Sequence, residues 1–275
     1  MVHHPDAQRA PHLVPALAVV TVGCSAVQNV GHDHDPEPLR LNARTPHTMT
    51  QTNRERLIVL FHGIGDPWPG VPEPEKPYWC PSALWPTMAD AVSGLAEHTD
   101  LPVEICFDDG NLSDYEQALP VLRDRGLTAT FFVLAGRIEQ PKYLSSDQIQ
   151  ALREAGMGIG SHGWAHADLR RTTDSELAHE VDDSRRLLGE VTGEAIDSFA
   201  IPFGSYDRRV LRKLRSYRTV YTSDARRAKL SGWLLPRHTF TQDWTPDTVR
   251  RLATERYGVA QLGRQRLVGA VKRLR

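Results

Sequence analysis

Short apolar runs that alternate with helical patterns constrain the fold of this chain more than any other feature of its sequence. Each run has the length and composition of a buried strand. The runs are Leu57–Phe61, Val103–Phe107, Thr128–Leu134, Met157–Ser161, Phe199–Pro202, Val220–Ser223 and Trp233–Pro236. Repeated strand–helix units predict a parallel sheet or a barrel, with the functional site at the carboxyl ends of the strands.

Helices are predicted between these runs from apolar stripes at helical spacing and from start and stop residues. Ser145 and Gln148 form a capping-box pattern, and Gly156 ends the same helix. The other predicted helices begin after Ser82 and at Pro246, or span Asp114–Arg125, Ser175–Glu190 and Arg208–Arg215. The proline-rich segment from Gly65 to Pro81 is predicted to be a loop without regular structure.

One folded domain is predicted over residues 55–250, flanked by two segments of different character. Residues 1–54 lack periodicity and are expected to be a disordered leader, or an upstream stretch before a natural start near Met49. An apolar segment ending at Cys24 weakly resembles a lipoprotein signal. The compartment therefore stays open: cytoplasmic with a start near Met49, or the cell envelope if residues 1–24 act as a signal.

Charge and cysteine usage exclude several classes of function. The formal net charge is −1, so no global charge attracts nucleic acid or an anionic membrane.

Residues 251–275 are expected to form a basic helical tail, which is a candidate contact for an acidic glycan, a membrane surface or a biosynthetic enzyme, although a solvated helix end is the default. No apolar stretch reaches the roughly 20 residues of a membrane span. The three cysteines lack C-x-x-C spacing, which argues against a thiolate zinc site.

Two adjacent carboxylates follow the second predicted strand, in Phe107-Asp108-Asp109-Gly110. An unpaired buried charge is costly, so both side chains cannot point into a core. One carboxylate can bind a cation while its neighbour accepts a proton. A turn with solvated carboxylates is the alternative, and for this motif taken alone it is favoured.

Two histidines four residues apart follow the fourth predicted strand, in Ser161-His162-Gly163-Trp164-Ala165-His166. Both imidazoles can reach one metal ion, because the glycine lets the chain turn between them. Two histidines and one carboxylate form a facial ligand set with open positions for water and substrate. Two strand–helix units separate this motif from the carboxylate pair, which predicts that both lie at one end of the sheet.

With both motifs in view, the chain resembles the polysaccharide deacetylases, the NodB-homology family also called carbohydrate esterase family 4. The resemblance covers about Leu57 to Asp243 and includes Pro202-Phe203-Gly204 as a third motif. Leu60-Phe61-His62-Gly63 resembles the first strand of the subgroup that acts on exopolysaccharides. The resemblance implies a distorted (β/α)7 barrel and a hydrolase that removes acetyl groups, N-acetyl in preference to O-acetyl, from a polysaccharide or oligosaccharide.

The resemblance also implies roles for individual residues. Asp109, His162 and His166 would hold a divalent metal, most often zinc, with cobalt, nickel or manganese as alternatives. Asp108 would be the general base. In the third motif, Pro202 to Gly204, the backbone N–H of Phe203 would bind the oxyanion.

Two family features are altered in this chain. The arginine that usually orients the base two residues before Pro202 is replaced by Ala200, and Arg237 on another strand is the candidate substitute. Leu235-Pro236-Arg237-His238 matches the family's Leu-x-x-His pattern, so His238 is the candidate general acid, with a structural histidine as an equal alternative.

Smaller predictions concern His62, which is expected to line the site or to pack, and Trp164, which is expected to stack on a sugar ring or to fill the core. Two other functions stay open for this chain. One is the hydrolysis of a small amide by the same fold. The other is a carbohydrate-binding protein that has lost catalysis.

Overall fold

The computed structural model describes residues 55–255 and Val271, and within them nine strands form one sheet. The strands are β1 (Glu55–Phe61), β2 (Val103–Asp109), β3 (Ala129–Val133), β4 (Gly158–Ser161), β5 (Ser198–Ala200), β6 (Thr219–Thr222), β7 (Ala228–Lys229), β8 (Leu234–Pro236) and β9 (His238–Thr239). The α-helices are α1 (Trp85–Ser93), α2 (Leu119–Asp124), α3 (Ser146–Glu154), α4 (Asp174–Ala178), α5 (Ser184–Thr192), α6 (Arg208–Lys213) and α7 (Pro246–Thr254).

The sheet closes into a barrel through one bent strand. Its order is β7-β1-β2-β3-β4-β5-β6-β8, and β9 pairs with β1. Strand β8 pairs with β6 in parallel, and β9, which begins after Arg237, pairs with β1 in parallel. Because β8 and β9 together occupy one position, the barrel has seven parallel strand positions. The antiparallel β7 lies on the other side of β1. The predicted distorted (β/α)7 barrel is therefore confirmed.

Strand alternation divides the apolar side chains between the barrel interior and the helices outside. Along β1, Ile58 and Leu60 belong to the interior cluster, whereas Val59 and Phe61 belong to the larger cluster that includes the helices. Phe61 stacks on Phe107 at 5.7 Å between ring centroids. Burial on both faces explains why these strands are continuous apolar runs and do not alternate with polar residues.

Two predicted helices contain a wider turn than expected. The Asp114–Arg125 segment begins with a π-helical turn before α2. The Ser175–Glu190 segment consists of α4, a π-helical turn over His179–Asp183, and α5. The capping box at Ser145 is present as predicted, with Gln148 as its partner. The proline-rich loop contains one 3-10 turn, Lys76–Tyr78, which the prediction of a loop without regular structure missed.

The predicted ends of the chain fall largely outside the described residues. The leader over 1–54, including the signal-like segment, lies outside them, as does the tail beyond residue 255 except Val271. Helix α7 extends to Thr254, a few residues past the predicted domain end at 250. Within the described part of the chain, no helix has the length and hydropathy of a membrane span.

Candidate metal centre and active-site cavity

A cavity of about 450 Å³ lies at the carboxyl end of the barrel, where a parallel barrel places its functional residues. The ends of β1, β2 and β4 bring His62, Asp108, Asp109 and His162 to it. The remaining lining residues come from the connecting segments and β9, and are Glu75, Tyr78, His166, Ile201, Phe203, Ser223, Ala225 and Thr239. Both sequence motifs thus meet in one cavity.

Asp109, His162 and His166 form a cluster whose ligand atoms all lie within 4.8 Å of one another. The Oδ1 atom of Asp109 lies 3.5 Å from Nε2 of His162 and 3.7 Å from Nε2 of His166. This oxygen is buried and has no hydrogen-bond partner among the described residues. A buried acceptor without a partner is unfavourable unless a cation or water satisfies it. The donor set and the orphaned oxygen both fit a divalent cation.

The two imidazoles are prepared as ligands in different ways. Nδ1 of His162 donates to the carbonyl oxygen of Ala200 at 2.9 Å, which leaves Nε2 with its lone pair on the side of Asp109. Burial lowers the pKa of His166 to about 4, against the opposing charge of Asp109, so this ring is neutral near pH 7. A neutral imidazole is the form that binds metals.

Asp108 is held by a buried arginine that is distant in sequence. Nη1 of Arg237 donates to Oδ1 of Asp108 and Nη2 donates to Oδ2, each at 2.7 Å. The Arg237 side chain is fully buried, and its guanidinium lies over the ring of Phe132 inside the barrel. Burial alone raises the pKa of Asp108, but the charges of Arg237 and His162 outweigh it and lower the pKa to about 2. Asp108 is therefore a carboxylate at neutral pH.

The cavity side of the proline-rich loop is formed by Glu75 and Tyr78, next to His62. The rings of His62 and Tyr78 have centroids 5.3 Å apart, and Nδ1 of His62 is buried with no hydrogen-bond partner among the described residues. Burial lowers the pKa of His62, although Asp109 and Asp108 act in the opposite direction. Burial raises the pKa of Glu75, and the negative charge of Asp109 adds a smaller shift in the same direction. Sequence analysis missed Glu75, because a glutamate in a proline-rich loop carries no recognisable signal.

The third motif forms a tight turn beside the cluster of Asp109, His162 and His166. Pro202 and Gly204 are buried and shape a 3-10 turn, in which Phe203 has the left-handed angles φ 57° and ψ 5°. The Phe203 side chain is 60% exposed, and its ring centroid lies 4.3 Å from that of His166. Glycine is favoured at Gly204, because φ is 56° there and a Cβ would lie 3.2 Å from the backbone nitrogen of Ser223, a tight contact. Phe203 lines the cavity, whereas Pro202 and Gly204, which the sequence also placed in the binding site, are not among its lining residues.

Two candidate residues lie outside the cavity lining, which agrees with the structural roles that the sequence left open for them. His238 does not line the cavity, because strand alternation turns Arg237 and Thr239 toward the barrel interior and His238 away from it. Burial, together with the charge of Arg227, lowers the pKa of His238 to about 4. Trp164 is also outside the cavity lining: its ring packs against His179, with centroids 4.4 Å apart. The Leu-x-x-His pattern does not specify the strand face, so it did not reveal this orientation.

Known proteins resemble this chain in sequence and in fold. Residues 96–222 match the family model described as polysaccharide deacetylase. YxkH of Bacillus subtilis, whose name carries the words polysaccharide deacetylase, is 30% identical over 110 residues, which cover 40% of this chain and 39% of that protein. The peptidoglycan-N-acetylglucosamine deacetylase PgdA of Listeria monocytogenes is 24% identical over 162 residues, which cover 53% of this chain and 32% of that protein.

A solved structure supports the fold over a larger part of the chain. The Streptococcus pyogenes deacetylase PplD, in complex with acetate, aligns with a TM-score of 0.64 at 18% identity, covering 73% of this chain and 99% of that one. At such identity the likeness shows the fold. The chain matches less than half the length of the two relatives named above. The family model and the relatives agree, and residues 96–222 form a polysaccharide deacetylase domain of the NodB-homology family.

Proposed function

We propose that this chain is a metal-dependent hydrolase that removes acetyl groups from a polysaccharide or oligosaccharide, N-acetyl in preference to O-acetyl. The observation that carries the proposal is the meeting of two groups of residues in one cavity. Asp109, His162 and His166 form the ligand cluster, and the ion-paired carboxylate of Asp108 lies beside it. The name of the Listeria relative, which specifies an N-acetylated sugar of peptidoglycan, supports the preference for N-acetyl groups.

The metal would be held by Oδ1 of Asp109 and Nε2 of both histidines. Zinc is the first choice for two imidazoles and one carboxylate, and cobalt, nickel and manganese are the alternatives. When bound, a divalent cation acidifies a water molecule and polarises the acetyl carbonyl. Three protein ligands leave positions open for both.

Asp108 is proposed to accept the proton of the attacking water. Its carboxylate lies 3.8 Å from Nε2 of His162, next to the ligand cluster. A pKa of about 2 keeps Asp108 ionised, and the two bonds from Arg237 hold the orientation of its oxygens. Arg237 thereby supplies the charge that the family has at the position of Ala200.

The leaving amine needs a proton, and His62 is proposed to donate it. His62 is the lining imidazole outside the ligand cluster, whereas His238 faces away from the cavity. Burial lowers the pKa of His62, and the carboxylates of Asp109 and Asp108 act against this shift. The backbone N–H of Phe203, in the turn at the cavity wall, is proposed to donate to the oxyanion.

The test is acetate release from a panel of N- and O-acetylated glycans by the full purified chain. It is measured after chelation, after zinc is restored, and for Asp108→Asn, with the exposed Asp147→Asn as a matched control. We expect release that requires metal, is lost in D108N and is retained in D147N. A folded protein that binds zinc but releases no acetate from any glycan would contradict the proposal and favour the small-amide or carbohydrate-binding function.

A further inference from the structure

Glu180 is a buried carboxylate that contacts the segment between the two histidine ligands. Its side chain belongs to the π-helical turn His179–Asp183, and the residue is 4% exposed. The backbone N–H of Trp164 donates to its Oε2 at 2.7 Å, and that of Ala165 lies 3.2 Å from both of its oxygens. Trp164 and Ala165 precede His166 directly, so the carboxylate binds the part of the chain that positions this ligand.

The segment from His162 to His166 has a strained conformation that needs support. Gly163 has φ 89° and His166 has φ 60°, an uncommon angle for a histidine. A Cβ added at Gly163 would lie 2.6 Å from Oε2 of Glu180, so the carboxylate packs directly on this backbone. The carbonyl oxygens of Gly163 and Trp164 are bound by the amides of Ala135 and Gly136. Glu180 binds the amides that follow, and thus completes the support of the segment.

The two histidines depend on this support to different degrees. His162 follows β4 directly, its backbone N–H donates to Val133, and its ring is held by the carbonyl of Ala200. His166 comes four residues later, and its ring contacts are with Asp109, His162 and Phe203. The position of His166 therefore follows from the conformation of the segment that Glu180 binds.

Glu180 is itself held firmly by its helix. The hydroxyl of Ser184 donates to the backbone oxygen of Glu180 at 2.6 Å, and its oxygen lies 2.9 Å from that of Ser161. Ser161 in turn accepts from the backbone N–H of Gly163 at 3.1 Å. The helix around Glu180 is thus connected to the segment at Gly163, through Ser184 and Ser161, and at Trp164 and Ala165. A π-helical turn, such as the one that contains Glu180, is common at functional sites.

We propose that Glu180 is a positioning residue of the metal centre, which holds His166 at the distance from Asp109 and His162 that one metal ion requires. This inference rests on the proposed function, because it assumes that the three ligands bind a metal. Hydrogen bonds to a carboxylate are stronger than those between neutral groups, which suits a residue that must hold a strained segment. Loss of such an outer partner lowers metal affinity about 10- to 100-fold.

The experiment measures the zinc affinity of the full-length apoprotein by competition with a chromophoric chelator, for wild type, Glu180→Gln and Glu180→Ala. Gln keeps one acceptor oxygen for Trp164 but places an NH₂ group near the Ala165 amide. We therefore expect the affinity to fall about 10-fold or more in E180A, with E180Q intermediate. Glu176→Gln is the matched control. Glu176 also accepts a hydrogen bond from a backbone N–H, that of Thr173, but it is exposed and lies outside the segment from His162 to His166.

A purely structural role predicts a different result: lower stability of the apoprotein, measured by urea denaturation, with unchanged zinc affinity of the folded fraction. That outcome, or an equal loss in E176Q, would overturn the proposal. If E180A does not fold, E180Q decides by the same criterion. If the wild-type chain binds no zinc, both the proposed metal centre and the role of Glu180 are overturned. If only the Glu180 variants fail to show the expected loss, the metal centre stands and the role of Glu180 alone is overturned.

Discussion

The guanidinium of Arg237 donates to both carboxylate oxygens of Asp108 across the interior of the barrel, at 2.7 Å for each bond. The two residues are 129 positions apart in sequence. Arg237 lies between β8 and β9, the two halves of the bent strand that closes the barrel. The orientation of the proposed base therefore depends on barrel closure.

Substitution of Arg237 by methionine is expected to leave the buried charge of Asp108 without a partner. Breaking a buried ion pair costs about 3–5 kcal/mol of unfolding free energy. We expect a loss of this size in urea denaturation of the apoprotein, together with loss of acetate release. The double variant D108N/R237M should regain most of the stability, since no charge remains, but none of the activity. Unchanged stability in R237M would show that the pair does not hold Asp108.

The proposed proton donor is tested by a matched pair of histidine variants. His62→Gln removes the lining imidazole outside the ligand cluster, and His238→Gln removes the one that faces away from the cavity. General acid catalysis contributes at least about 100-fold to a rate, so kcat should fall by this factor in H62Q. We expect H238Q to stay close to wild type at pH 7, with zinc affinity measured in both. The reverse pattern would return the role to His238.

Phe203 is expected to contribute to glycan binding through its exposed ring and to catalysis through its backbone. Phe203→Ala removes a ring that is 60% exposed and keeps the N–H, so stability should change by less than about 0.5 kcal/mol. An aromatic contact is worth about 1 kcal/mol, which predicts an increase in KM of about five-fold with little change in kcat. Phe203→Tyr should retain the wild-type KM. A fall in kcat at unchanged KM would contradict this division of roles.

Stability should depend on pH through His238, whose pKa in the folded state is about 4. The ordinary value of about 6.5 applies to the unfolded chain, which therefore binds more protons between pH 4 and 6.5. Stability should consequently rise with pH across this window and lose its dependence on His238 above it. One histidine contributes at most about 1.4 kcal/mol per pH unit. Urea denaturation of the apoprotein at several pH values should show a smaller slope in H238Q, and an equal slope would refute the assignment.

The sequence by itself determined seven of the nine strands in the described residues, a parallel strand–helix fold and the residues of the ligand cluster. Buried strands appear as continuous apolar runs, and parallel strands bring their carboxyl ends to one side. The sequence therefore places the Asp108–Asp109 pair and the His162–His166 pair together. Their residue types, at the ends of predicted strands, indicated a metal centre. These are properties of local periodicity and short spacing, which a linear sequence records directly.

Tertiary structure alone decided the environment of these residues. Whether Arg237 or His238 faces the interior depends on strand alternation at a bend, and a shift of one residue would exchange them. The contact of Glu180 with the segment before His166 depends on a π-helical turn that the helical pattern concealed. Glu75 reaches the cavity only because the proline-rich loop folds over the barrel end. Such contacts join residues far apart in sequence, and their energies depend on register and burial, which arise only when the barrel closes.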